Sequence, residues 1–289
     1  MGFEWSRDDA SIADGFLRIA HEQIAKAIAG AENSEESPAR RVHEARRRCK
    51  KLRALFRLVR PDFAAYETEN TFVRDAARGL AQARDMRVAR GTLIELMQWA
   101  GRPIEVDADH PAEVELEGLS RFAGQMRALE HRSQGWQVGR IDIDTLASGL
   151  KQTYRRGRWT RRLAEKHRTD EAFHEWRKYA KYHWNQLGLL EHCAGDVLPS
   201  AHKSAGDLAD LLGQHHDLAV LDRVLATTPE ALGIEVDVGL ARAAAARRQQ
   251  EHEKRIAVLG AQVFAETPKA LKARFVAYLD DWTQRQAAE

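Results

Sequence analysis

Cysteine is scarce: Cys49 and Cys193 are the only two in 289 residues. They form no CxxC pair and no zinc-ligand spacing, which excludes a disulfide framework or a zinc module and leaves two reduced thiols of a cytoplasmic protein as the expectation. No stretch reaches about 18 apolar residues, so no membrane span is expected. The opening MGFEWSRDDA lacks an apolar h-region, so no signal peptide is expected either. GxSxG, HExxH, Walker A and dinucleotide glycine motifs are all missing, which removes the common hydrolase and nucleotide-enzyme signatures. No carboxylate cluster suited to Mg²⁺ is visible. Strand-type alternation is almost missing as well.

What is present is helical periodicity, cut by proline and glycine. It predicts an all-α fold with helices near 8–30, 38–60, 66–99, 112–133, 143–168, 170–193, 199–227, 235–265 and 268–285. The net charge is only +2, from 45 basic and 43 acidic residues, yet the signs are segregated. Residues 40–60 and 154–168 are basic, while 105–117 is acidic. Local asymmetry of this kind speaks to partners more than the total does.

The chain repeats itself. His43-Glu44-Ala45-Arg46-Arg47, then Lys50, matches His174-Glu175-Trp176-Arg177-Lys178, then Lys181, at an offset of 131. Downstream, LAQARDMRV (80–88) matches LGQHHDLAV (212–220) at an offset of 132, aligning Gln82 with Gln214 and Asp85 with Asp217. Upstream, LRIAHEQIA (17–25) lies over LKQTYRRGR (150–158). Three blocks in one order imply a duplicated helical unit, about 1–135 and 140–289, and hence two antiparallel bundles related by a pseudo-two-fold axis.

On a helical wheel, His43, Arg46, Arg47, Lys50, Arg53 and Arg57 share an arc of about 120°. Val42, Ala45, Cys49, Leu52, Phe56 and Val59 form the opposite, core-seeking stripe. Arg48 and Lys51 fall beside that stripe or at its margin and are not first choices for contact. In the second copy His174, Arg177, Lys178 and Lys181 share a face opposite Phe173, Trp176, Ala180, Leu187 and Leu190. There Trp184 stands for Arg53 and Gly188 for Arg57, so the second cationic face is shorter. A third basic group, Lys151, Tyr154, Arg155, Arg158 and Arg162, occupies one face of the segment 143–168. Acids are nearly missing from the two repeated faces, so ordinary i,i+4 pairing is not expected there. Such faces suit a polyanion, whose binding would relieve their mutual repulsion.

The His-His-Asp at 215–217 would suit a metal-dependent phosphohydrolase only if further ligands converged, and none stands in register, so no metal is expected. Asp85 and Asp217 are expected to be at least half-buried and to position a neighbouring basic or histidine side chain. Phe56, Phe173 and Trp176 fall on the buried side, leaving Tyr154, Tyr182 and Trp184 to line the cations. Too few aromatics interleave with the charge to stack bases, which argues against nucleic acid.

The paired H-x-x-R-[RK]-x-x-K blocks, each followed by an LxQxxD-type segment, resemble the CHAD family, over about residues 8–285. The resemblance implies a single domain over 1–289 made of two four-helix bundles with a basic central cavity. It also implies non-catalytic binding of inorganic polyphosphate, no cofactor, and a cytoplasmic place at polyphosphate granules. No triphosphate-tunnel domain is present, so a stand-alone member is expected. Carried over by residue, the contacts are His43, Arg46, Arg47, Lys50, His174, Arg177, Lys178 and Lys181. Arg53 and Arg57 follow from the wheel, and Tyr154, Arg155 and Arg158 resemble the family's basic Tyr-Arg segment. A general polyanion or nucleic-acid binder, and a metal-dependent polyphosphate hydrolase, are the alternatives. Oligomeric state, chain-length preference and the choice of pore or groove stay open.

Overall fold

The computed structural model describes residues 2–80, 82–104 and 113–288. Ten α-helices lie among the described residues: α1 Ile12–Glu32, α2 Pro38–Leu58, α3 Tyr66–Gly79, α4 Gln82–Trp99, α5 Glu113–Ser133, α6 Ile143–His167, α7 Asp170–Leu189, α8 Pro199–Thr227, α9 Val238–Val263 and α10 Pro268–Ala288. The architecture is all-α, as the periodicity predicted. Short polar side chains start the helices where the sequence supplies them. Ser11, Ser37, Thr169 and Asp237 each accept a backbone N–H at the first turn. Asp142 and Thr145 make a reciprocal capping box at the start of α6. Arg168 has φ 52°, so the left-handed stop of α6 and the Thr169 cap of α7 turn the chain sharply.

One boundary differs in kind from the sequence reading. The segment 66–99, read as one helix, is two, because α3 ends at Gly79. Glycine is the poorest ordinary helix former, and a lone glycine inside an apolar periodicity gives no sign of a break.

The apolar stripes pack as expected. Val42, Ala45, Cys49, Leu52, Phe56 and Val59 are all buried, and so are Phe173, Trp176, Ala180, Leu187 and Leu190. They join one core that runs from Trp5 to Trp282 and draws on both halves of the chain. In the first half α1, α2, α3 and α5 pack together; in the second α6 to α9 do, with α10 against α6. Helix α4 instead lies on α8 and α9. There Ala89, Leu93, Leu96 and Met97 meet Leu218, Leu221, Leu225, Ala241 and Ala245 in a second, smaller core. The duplication boundary is therefore no break in the packing.

The halves are also stitched at the end of α2. Gly139 N donates to Asp62 O at 2.8 Å, and Thr145 Oγ1 donates to Asp62 Oδ2 at 2.6 Å. Helix α6 crosses α2 at Gly149, where any Cβ would fall inside the backbone carbonyl of Leu58. Only glycine permits that approach, and with it the alignment of α2, α6 and α7.

Candidate functional site: the paired cationic helices

Helices α2 and α7 lie directly against each other. The buried amide of Gln186 donates to Ala54 O at 3.1 Å. Early residues of α2 face late residues of α7, and the reverse: Lys50 shares a cleft with Trp184 and Gly188, while Arg57 sits 4.4 Å from the Tyr182 ring. The two helices are thus antiparallel, and each turns its apolar stripe into the common core.

Along this pair runs a cleft of about 430 Å³. Helix α2 contributes His43, Arg46, Arg47, Lys50 and Lys51; α7 contributes Lys181, Trp184 and Asn185; Asp210 comes from α8. Arg46 is aimed by α3, its Nη1 donating to Ala77 O at 2.7 Å. Arg53, further along, donates from Nε to Asn70 Oδ1 at 3.1 Å and lies 5.6 Å from the Tyr182 ring. On α7, Arg177 packs over Gly213 of α8, and Lys181 reaches Asp210 at 3.3 Å. His174 Nδ1 lies 3.4 Å from His216 Nδ1.

The cations are less unpaired than the sequence suggested. Glu44 takes Arg47 at 2.7 Å and Glu175 takes Lys178 at 2.7 Å, corresponding pairs in the two copies at i,i+3 spacing. Pairs at i,i+3 escape an expectation built on i,i+4 spacing. Partly exposed pairs of this kind contribute only about 0–1 kcal/mol and are readily given up to a stronger anion.

The third basic group divides. Tyr154 is 1% exposed and packs 5.2 Å from the His183 ring and 5.2 Å from Phe264, so it is core and not a surface contact. Arg158 donates to the carbonyls of Ala265 and Glu266, which pins the turn before α10. Lys151 is half-buried near Asp144 and does not line the cleft. Arg155 is exposed and belongs to a separate cavity with Arg57. The cause lies in packing: α10 and the end of α9 cover the side of α6 that carries Tyr154 and Arg158, and a wheel of one helix holds no information about that cover.

Lys51, set aside by phase, lines the cleft with its ammonium 4.5 Å from the Phe3 ring. Burial, then Arg48 and Arg47, push it down to about 8. Burial and Arg177 lower Lys181, and burial with Arg177 and Lys178 lowers His174. Each shift records a charge held against desolvation and like neighbours. Trp184 lines the cleft together with Phe3, and its ring already stacks on His202 at 6.0 Å and an angle of 25°. Tyr182 is buried beneath Arg53 and Arg57.

Asp217 is half-buried and its charge acts on Lys181, which fits a positioning role. The side chain of Asp85 lies outside the described residues. The His-His-Asp stretch does not converge. His215 is buried against Glu253 at 3.5 Å while His216 turns to His174. Among the described residues no group of three or more His, Cys, Asp or Glu is arranged to hold a metal ion. Among them too, no helix is long and apolar enough to cross a membrane.

The fold and site define an all-helical protein with two cationic helices, α2 and α7, set side by side. The model of the CHAD domain family matches residues 17–226, most of the chain, and the protein belongs to that family. No curated protein matches the sequence.

Proposed function

We propose that the protein binds inorganic polyphosphate, without turning it over, along the surface formed by α2 and α7. The observation that carries this reading is the cleft that gathers His43, Arg46, Arg47, Lys50, Lys51 and Lys181 from both copies of the repeat. Membership of the CHAD family supports it. Arg and Lys supply charge-assisted hydrogen bonds to phosphate oxygens, arginine in its two-pronged geometry. Burial and like charges lower Lys51, Lys181 and His174, and an arriving polyanion would act against that lowering. A ligand made only of phosphate suits a cleft whose two aromatics are already engaged, Trp184 stacked on His202 and Phe3 under the Lys51 ammonium. Residence in the cytoplasm, at polyphosphate granules, belongs to the same proposal, as does a basic cavity shared by two related bundles.

Titration with long-chain polyphosphate, orthophosphate and single-stranded DNA over a salt series tests the assignment. Tight, chain-length-dependent binding of polyphosphate is expected, with a log–log salt slope of about −0.7 to −0.9 per neutralised phosphate. Equal or tighter binding of DNA rejects it in favour of a general polyanion binder, and metal-dependent phosphate release rejects the non-catalytic part. The R46A/K50A/R177A/K181A variant is expected to lose at least about 100-fold in polyphosphate affinity, since each lost charged contact is worth about 1.5–3 kcal/mol.

A further inference from the structure

A second cavity, of about 260 Å³, opens beyond the far end of α2. It is lined by Arg57 and Arg60, by Gln152, Arg155 and Arg156 of α6, and by Tyr179 of α7. Four arginines therefore border one small space. Arg60 pairs with Glu67 at 2.6 Å. Arg57 rests on Tyr182, with its Nε buried and without a hydrogen-bond partner among the described residues. Arg156 leans on Trp159, with its guanidinium carbon 5.2 Å from the ring centre. Stacking on rings holds these groups in place without neutralising them, which is how a fixed site for a phosphate-like anion is built.

The cavity is not part of the first cleft, with which it shares no lining residue. It is continuous with it through α2. Arg46, Arg53 and Arg57 follow one another on one face of that helix, over about 16 Å at 1.5 Å per residue, and Arg60 opens the short 3-10 turn that follows it. Arg53 lies between the two spaces, above Tyr182.

We infer that the cavity of Arg57, Arg60, Arg155 and Arg156 is a second phosphate subsite, reached only by chains long enough to span from the Lys50 cleft. This rests on the polyphosphate reading and adds to it a physical origin for chain-length preference. Once one end of a chain is held in the first cleft, the other meets the arginine cavity at a high effective concentration. A short chain fills the first cleft and gains nothing from the second.

The test compares tripolyphosphate with long-chain polyphosphate on the full chain, using wild type and Q152E/R156E. Both substituted residues are exposed and one helical turn apart, so the helix is expected to survive. The variant should weaken long-chain binding by about tenfold or more and leave tripolyphosphate binding unchanged. Its long-chain salt slope should shrink by about one to two counterions. Long-chain affinity and slope equal to wild type overturn the subsite while the function stands. Equal loss for both ligands overturns it as well, since the cavity would then be the primary site. A wild type that binds no chain of either length rejects the function itself.

Discussion

At Lys51, burial and the charges of Arg48 and Arg47 outweigh the attraction of the Phe3 ring, and the ammonium falls from 10.5 to about 8. Below about pH 8 both folded and unfolded chains carry the proton, and the cost of charging the buried amine is fully felt. Between about 8 and 10.5 the unfolded chain holds more protons, so this residue makes stability rise with pH. The K51M variant is therefore expected to be more stable than wild type at pH 7, with the difference closing toward pH 10, as read from urea midpoints. In binding, the sign follows the ligand's charge. Polyphosphate should raise the amine, so wild type takes up protons on binding near pH 9 and K51M takes up fewer. Calorimetry in two buffers of different ionisation enthalpy measures this. His174 acts in the same sense at lower pH: burial and its cationic neighbours lower it, and a bound anion lifts it, so affinity should increase as pH falls below neutral. H174Q should flatten that dependence. The face that carries His174 was legible in the repeated His-x-x-Arg spacing, because a helix converts spacing into a face. The roles of Lys51 and Tyr154 were not. Phe3 and α10 decide them, and both are brought in by tertiary packing.

Among the elements, α2 carries two demands at once, a cationic face and an apolar one, and α6 fixes how it meets both. The approach at Gly149 leaves no room for even one methyl group, and its obstacle is backbone, which cannot rotate away. G149A is expected to cost about 3 kcal/mol and to lower the thermal midpoint by roughly 6–12 °C, with polyphosphate affinity reduced as α2 and α7 separate. Differential scanning calorimetry and the binding titration check the two parts. The limits of sequence reading at this scale are specific. Most helix ends fall within a few residues of prediction, since Ser37-Pro38, Asp142, Thr169 and Pro199 announce themselves chemically. The division of 66–99 does not, because Gly79 looks like any tolerated glycine until α4 is seen to leave α1 and α2 for α8. Periodicity shows that a helix has an apolar face and is silent on which neighbour covers it.

For the whole molecule, the position of α4 makes the two halves interdependent. Leu93 and Leu96 find their cover on Leu218, Leu221 and Leu225, and the amide of Gln186 closes on α2. A polypeptide of residues 1–137 made alone would leave α4 without its partners and expose the apolar side of α2. It is expected to lack a cooperative thermal transition, whereas the full chain melts as one. Circular dichroism melts of both settle this, and a sharp transition in the half-chain would contradict it. The matching blocks were visible in the sequence at offsets of 131 and 132, but the seat of α4 on α8 and α9 was not, because a sequence match says nothing of which segment packs on which.

The floor formed by α2 and α7 carries one last consequence. On the proposed reading the ligand, a linear phosphate chain, has no head or tail, whereas the floor is uneven, α2 lining the first cleft with His43, Arg46, Arg47, Lys50 and Lys51 and α7 with Lys181. Such a chain can be laid in by either end and still meet the same cations. Two directions of entry double the ways a productive encounter can begin, a statistical advantage that a directional polymer would forfeit.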